Sequence, residues 1–322
     1  MRRRPHRLSA TRPSSRRVLD VRPVSASFPA PQPVDLRLTL APLQHGSGDP
    51  TIRLARNGVW LTRRTEAGPA TLRLWTDDAA DAVRAEAWGP GAATALLAAP
   101  GLAGLLDDPT PLKPQHALLR ELQRRFAGLR LPRTGQLLPA LVPAVLGQKV
   151  TAGEALAAYS AIVRRFGEPA PGPAGLLLAP AAARLAEVPY FEFHSLGLER
   201  RRSELLALIG LRESGIEALM ALPPAEAYAS LQKIRGIGPW TAAETTRIAF
   251  GDPDAVSLGD AHLPDLVAWT LAGEPRADDA RMLELLEPYR GQRARVVRLL
   301  EASGIRIPRF GPRFAPRRIG RI

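Results

Sequence analysis

The first regular pattern along the chain is an alternation. Leu36, Leu38 and Leu40 fall on one side of an extended chain, and Asp35, Arg37 and Thr39 fall on the other. That is the period of a half-buried strand. "GSGDP" then turns the chain, "TIRLA" alternates again, "RNG" turns, and "VWLTRR" and "ATLRLW" follow up to Trp75. Four short strands joined by turns predict an antiparallel sheet. "TDDAADAVRAEAWG" offers Thr76 or Asp77 as an N-cap ahead of an alanine-rich run, which predicts a helix. A small antiparallel α+β domain is expected over residues 35–112.

Beyond it the spacing of apolar residues changes to three and four. "PQHALLRELQRRFAG", "QLLPALVPAVLGQKV", "AGEALAAYSAIVRRFG" and "RSELLALIGLRES" predict helices. So do "AEAYASLQKI", "WTAAETTRIAFG", "AHLPDLVAWTLAG", "ARMLELLEP" and "GQRARVVRLLEASG". The connections are short and carry Gly or Pro, as an all-α domain requires. The expected fold class is α+β: the small sheet domain, then an all-α domain over residues 113–302.

Charge changes the picture at the two ends. Residues 1–34 hold eight arginines against one acid, and residues 303–322 hold six arginines and no acid. These two segments account for the whole formal charge of +13 and leave a neutral middle. Both are expected to be basic tails, the first disordered because Pro, Ser and Arg supply no core. Such tails either meet a polyanion, releasing counterions from each phosphate, or serve only as solubilising arms. The arginine-rich start lacks the apolar core of a secretory signal, although an organelle transit peptide has a similar composition. Only three of the 44 basic residues are lysine, which suggests a GC-rich genome and a bacterial, cytoplasmic, nucleoid-associated protein. No run reaches the roughly 18–20 apolar residues of a membrane span. With no cysteine, disulfides, zinc–thiolate sites and cysteine-ligated iron–sulfur clusters are excluded.

The strongest chemical signal is "LQKIRGIGPWTAAETTRIAFG", residues 231–251. An amphipathic helix ends at Ile234, glycines stand at 236 and 238, and a second helix starts near Pro239. Glycine permits a left-handed or crowded backbone and lets another molecule approach the main chain. The second helix opens with unpaired N–H groups and the positive end of its dipole. Proline suits its first position. The product is either a phosphate site built of backbone, blind to base identity, or an ordinary αα-hairpin with glycine at the turn.

"LQKIRGIGPWTA" resembles the hairpin motif of the helix-hairpin-helix superfamily of DNA glycosylases. Asp260, 22 residues after Gly238 in "VSLGDAHLPDL", is similar to the aspartate of that superfamily. Residues 141–169 resemble its segment that enters DNA from the minor groove, and residues 190–206 the region leading into the next helix. The resemblance covers roughly residues 110–300 and is closest to the bacterial inducible 3-methyladenine glycosylase subfamily. It implies a protein that grips damaged double-stranded DNA, extrudes a base and breaks the N-glycosidic bond. A non-catalytic DNA-binding protein and a bifunctional glycosylase/lyase are the competing readings.

Roles follow from that resemblance residue by residue. Asp260 would be the catalytic carboxylate, stabilising an oxocarbenium-like sugar; it is equally placed to cap a helix beginning at Ala261. Arg235, Gly236, Ile237, Gly238 and Thr241 would hold the DNA backbone. Trp240 stands where strand-cleaving relatives carry their Schiff-base lysine, so a monofunctional enzyme is implied. Trp240 either stacks on an extruded base or packs between hairpin and body. Tyr190 and Phe193, in the densest aromatic cluster, line either the base pocket or the core. Gln148 and Lys149 occupy the minor-groove side, with lysine in place of the subfamily's apolar wedge. The carbonyls of Gln232, Ile234 and Ile237 would hold a structural monovalent cation, sodium or potassium. No organic cofactor is implied, and a monomer is expected.

Overall fold

The computed structural model describes residues 22–308. A five-stranded antiparallel sheet comes first in the chain: β1 (Val24–Pro29), β2 (Ile52–Ala55), β3 (Gly58–Thr65), β4 (Gly68–Asp77) and β5 (Ala82–Trp88). Its spatial order is β1-β5-β4-β3-β2. Between β1 and β2 lies the short helix α1 (Leu36–Leu40), and after β5 come α2 (Ala92–Leu97) and α3 (Ala99–Leu102). Leu40, Val59, Leu72, Leu74, Val83 and Ala95 form the buried centre of this lobe.

Three readings of the sequence in this lobe are corrected by the structure, and α2 and α3 are not among the elements expected. "DLRLTL" is a helix, because Asp35 accepts the amides of Arg37 and Leu38 at 2.9 Å and caps it. It buries Leu36, Thr39 and Leu40, a three-and-four spacing that a five-residue alternation cannot be told from. The predicted helix over "TDDAADAVRAEAWG" is strand β5. Its Val83, Ala85 and Ala87 are buried in the sheet's core while Arg84 and Glu86 on the opposite face are less covered. Pairing to β4 on one side and β1 on the other overrides alanine's helix preference. Finally, β1 lies inside the segment expected to be a disordered tail. Its Ala26 and Phe28 pack on the lobe's core. Residues 1–21 and 309–322, most of the two basic tails, lie outside the described residues.

The rest is helical apart from the two-residue strands β6 (Glu168–Pro169) and β7 (Leu177–Leu178). Before and around these run α4 (Ala117–Arg125), α5 (Leu138–Leu146), α6 (Ala152–Phe166), α7 (Ala182–Glu187), α8 (Tyr190–Ser195) and α9 (Arg200–Leu211). There follow α10 (Glu213–Glu217), α11 (Pro224–Gln232), α12 (Pro239–Ala249), α13 (Leu263–Ala272), α14 (Asp279–Leu286) and α15 (Arg293–Ser303). Two cores divide them. Leu141, Ile162, Leu206, Leu231 and Ala242 centre one, and Leu119, Val267, Met282, Leu286 and Val296 the other. The segment joining α12 to α13 crosses from the first core to the second, and it carries Asp260.

The sheet lobe is fastened to the helices by buried arginines. Arg295 pairs with Asp107, both under a tenth exposed, and Arg63 donates to the Thr134 carbonyl at 2.9 Å. Glu217 accepts the amides of Leu137 and Leu138, satisfying orphan donors at the start of α5. Burial pushes its carboxyl above the ordinary range. Among the described residues no helix is long and apolar enough to cross a membrane.

Candidate active site

The hairpin forms as the glycine spacing predicts, but its two glycines do different things. Gly236 sits at φ +99°, left-handed backbone that favours glycine, and a Cβ there would stand 3.2 Å from Leu205 Cδ2. Gly238 is extended (φ −98°, ψ −178°), and a Cβ on it would meet nothing within 4 Å. Gly236 therefore makes the turn, while Gly238 leaves open space at the mouth of α12. Pro239 occupies the first turn, no side chain caps the helix, and its first intrahelical bond runs from Ala242 N to Gly238 O at 3.0 Å. The amides before Ala242 thus have no intrahelical acceptor.

Of the residues assigned to the hairpin's DNA face, only some reach the surface. Arg235 is exposed and Gly236 and Gly238 are half-exposed. Ile237 and Thr241 are buried at 4% and 2% exposure. Thr241 faces inward, where its Oγ1 accepts from Gln148 Nε2 at 2.9 Å. The same Gln148 amide donates to the Gly236 carbonyl at 3.0 Å. Gln148 is therefore a brace between the segment after α5 and the hairpin turn, and its side chain is already engaged.

Lys149, next to it, is exposed and lies at φ +54°. A left-handed lysine costs about 1–2 kcal/mol relative to ordinary backbone. It is held there by the glutamine brace before it and by the Thr151–Glu154 capping box that starts α6 after it.

Asp260 is where the polar contacts converge. One carboxylate oxygen, Oδ1, accepts the amides of His262 and Leu263 at 2.8 and 2.9 Å. It thus ties down the turn that leads into α13; the helix begins at Leu263 rather than at Ala261, and His262, not Asp260, is its N-cap. The other oxygen, Oδ2, accepts the indole N–H of Trp240 at 2.9 Å. Trp240 is half-buried on the first turn of α12, and the tip of its ring passes Gly147, where a Cβ would stand 3.0 Å from Cη2. The indole's polar edge thus holds the carboxylate while the tip of its ring packs beside Gly147. Asp260, Trp240 and the hairpin turn form one continuous surface element.

The aromatic cluster divides. Phe193 is fully buried and meets Phe166 edge-on at 5.8 Å between ring centroids, so it belongs to the core. Tyr190 is exposed and shares a hydrogen bond with His194 Nδ1 at 3.0 Å. No recorded contact joins it to Asp260. His262 is exposed and presents its amide, not its ring, to Asp260. Among the described residues no group of His, Cys, Asp and Glu side chains is arranged to hold a metal.

Residues that pattern reading missed lie around the same turn. Ser257 donates its hydroxyl to Glu244 Oε1, and the amide of Gly259 donates to Asp279 Oδ2 at 2.8 Å. Glu244 and Asp279 sit on different helices, and nothing local in their sequences marks them.

With this geometry in view, comparison with known proteins is informative. No family model matches the chain. It is 30% identical over 151 residues to a Bacillus subtilis DNA-3-methyladenine glycosylase, which is 45% of this chain and 50% of that protein. The chain thus matches about half the length of this curated relative. Its fold is similar to that of 3-methyladenine DNA-glycosylase from Archaeoglobus fulgidus, with a TM-score of 0.72 and 18% identity over 86% of this chain and 97% of that one. It is also similar to Clostridium acetobutylicum 8-oxoguanine glycosylase/lyase, crystallised with double-stranded DNA containing cytosine opposite 8-oxoguanine. There the TM-score is 0.66 at 13% identity, covering 85% of this chain and 94% of that one. The chain has the fold of the helix-hairpin-helix DNA glycosylases, the superfamily that the hairpin and "GDAHL" resemble. A sequence relative, matched over half its length, is a DNA-3-methyladenine glycosylase.

Proposed function

We propose that this protein is a monofunctional DNA glycosylase that extrudes a damaged, alkylated purine from duplex DNA and hydrolyses its N-glycosidic bond. The observation that carries this reading is the Asp260 carboxylate, fixed by two amides and one indole N–H beside an uncapped hairpin helix. The hairpin amides and Arg235 take a phosphodiester; extrusion of the base costs a few kcal/mol, least for a damaged one. As the glycosidic bond lengthens, positive charge grows on the sugar, and the preplaced carboxylate stabilises it without reorganising. Water adds to the sugar carbon and releases its proton to bulk water. The bond's electron pair leaves with the base, which an N-methylated purine accepts readily because its ring is already cationic. Asp260 needs no proton to donate, and all three of its recorded bonds place it as an acceptor.

Gln232, Ile234 and Ile237 fit the implied monovalent cation. They stand at the end of α11 and in the turn, where carbonyls lack intrahelical donors. Ile234 O accepts one bond, from Ile237 N at 3.0 Å, and keeps a second lone pair. An ion there would add positive potential behind the bound phosphate.

Hydrolysis without strand cleavage follows from Trp240 in place of an amine nucleophile. The lysines nearest the hairpin are Lys233, exposed after α11, and Lys149. Borohydride added during turnover of a 7-methylguanine duplex should trap no protein–DNA adduct, and strand breaks should appear only after alkali. Efficient trapping at either lysine would place the protein in the bifunctional class. The strained Lys149 gives a second test. Lys149→Gly should raise stability by about 1 kcal/mol, seen as a higher melting temperature. If the lysine stem fills the hole left by the base, the same variant loses base release at limiting protein. Unchanged release would remove Lys149 from the minor-groove role.

A further inference from the structure

The turn that carries Asp260 has little to hold it. No helix or strand spans Gly251 to His262, Gly259 is left-handed at φ +84°, and a Cβ there would meet nothing within 4 Å. The start of this segment is pinned elsewhere: Asp254 pairs with Arg293, and Pro253 O accepts from Arg295 N. Its end is pinned where Asp260 accepts the amides of His262 and Leu263. Between them, the two residues flanking the catalytic turn are each tied by a carboxylate from a different helix. Ser257 Oγ donates to Glu244 Oε1, and Gly259 N donates to Asp279 Oδ2 at 2.8 Å.

We propose that Asp279 and Glu244 are positioning residues that act through Gly259 and Ser257 to set where the Asp260 carboxylate stands. The inference rests on the glycosylase reading above and deepens it. Glu244 lies one turn beyond Trp240 on α12, on the same face, so one helix holds both the carboxylate of Asp260 and the Ser257 side chain three residues before it. Its remaining oxygen accepts from Arg247 Nη2 at 2.6 Å, which fixes the orientation of Oε1. Burial disfavours the charge on Arg247, but Glu244, Glu301 and, more weakly, Asp260 hold its pKa above the ordinary value. The arginine therefore stays charged beside the turn.

Asp279 opens α14, where the helix dipole favours its charge. Neighbouring Asp278 caps that helix, and Asp265 of α13 accepts the Ala277 amide at 3.0 Å. The carboxylate of Asp279 is thus aimed at Gly259 from a helix end that is itself tied to α13, the helix that follows Asp260. Gly259 is exposed, so the bond contributes placement more than burial. The expectation is that a misplacement of about 1 Å at Asp260 costs up to about a hundredfold in rate.

The test uses the full chain, a 7-methylguanine duplex under single-turnover conditions, and the indole ¹H–¹⁵N resonance of Trp240, assigned with Trp240→Phe. Asp279→Ala should slow base release by about ten- to a hundredfold with duplex affinity unchanged. Asp279→Asn, which keeps an acceptor oxygen for Gly259, should restore most of that rate. Ser257→Ala should slow release in the same way, leaving the buried Glu244–Arg247 pair intact. In an Asp260→Asn background, Asp279→Ala should cost nothing more, because its effect passes through that carboxylate. The indole resonance should move in Asp279→Ala and return in Asp279→Asn. Wild-type rates in both Asp279→Ala and Ser257→Ala, or a full additional loss in the Asp260→Asn background, would overturn the proposal. A wild-type protein that released no base from any lesion would instead sink the glycosylase reading, and the indole resonance alone would then decide whether Asp279 positions the turn.

Discussion

Replacing Asp260 by Asn is expected to slow release of a methylated purine by about two to three orders of magnitude, the scale of losing one preorganised electrostatic partner. Binding to undamaged duplex should be unchanged, since the proposed phosphate grip would lie in the hairpin and carry no base information. The fold should tolerate the substitution. The carbonyl oxygen of asparagine can keep the amides of His262 and Leu263 that shape the turn. Its NH₂ would then face the Trp240 indole N–H, donor against donor, so the Trp240 bond is lost with the charge. Single-turnover base release and duplex affinity, measured side by side, check this. Near-wild-type turnover would remove Asp260 from the chemistry and leave it a residue that shapes the turn before α13; loss of affinity together with rate would mean the turn had collapsed.

The second large effect is expected at Gly238. The extended backbone and empty surroundings of this residue mean that Gly238→Asp introduces neither strain nor a clash. It places a negative charge at the open amides of α12, where a phosphodiester would sit. Losing a charge-assisted bond to phosphate costs about 1.5–3 kcal/mol, about ten- to a hundredfold in Kd. Lesion and undamaged duplex should suffer alike, with helical circular dichroism and melting temperature nearly unchanged. Gly236→Ala is the contrasting control. Its left-handed backbone and the Leu205 methyl 3.2 Å from the new Cβ predict about 1–3 kcal/mol of destabilisation. A Gly238→Asp protein that unfolds would make this glycine a packing device. One that loses only lesion binding would give the hairpin a part in reading the base.

Much of this site is local in origin, and for that reason it is visible in the residues themselves. A glycine at a left-handed position, a proline in a first turn and an aspartate before a helix each act within a few residues. "RGIGPW" and "GDAHL" therefore announce the hairpin and the carboxylate. The longer helices after residue 113, such as α6, α9 and α12, announce themselves by repeated apolar spacing over ten residues or more, whereas α7, α8 and α10, of five or six residues, do not. Short elements carry too little pattern: "DLRLTL" became a helix through its Asp35 cap, and "AVRAEAW" became a strand because β4 and β1 flank it.

What the sequence by itself determined is where the backbone turns and where a charge stands on it. Tertiary structure decided how those pieces face one another. It turned Thr241 and Phe193 inward and spent Gln148 on bracing the turn. It also brought the Trp240 indole, Glu244 and Asp279 to a loop remote from each of them along the chain. The physical reason is range. Dihedral preference and capping act over a turn of chain, whereas a hydrogen bond to Asp260 or Gly259 depends on three helices packing at fixed angles around two cores. No local pattern records those angles; the packing of the whole chain sets them.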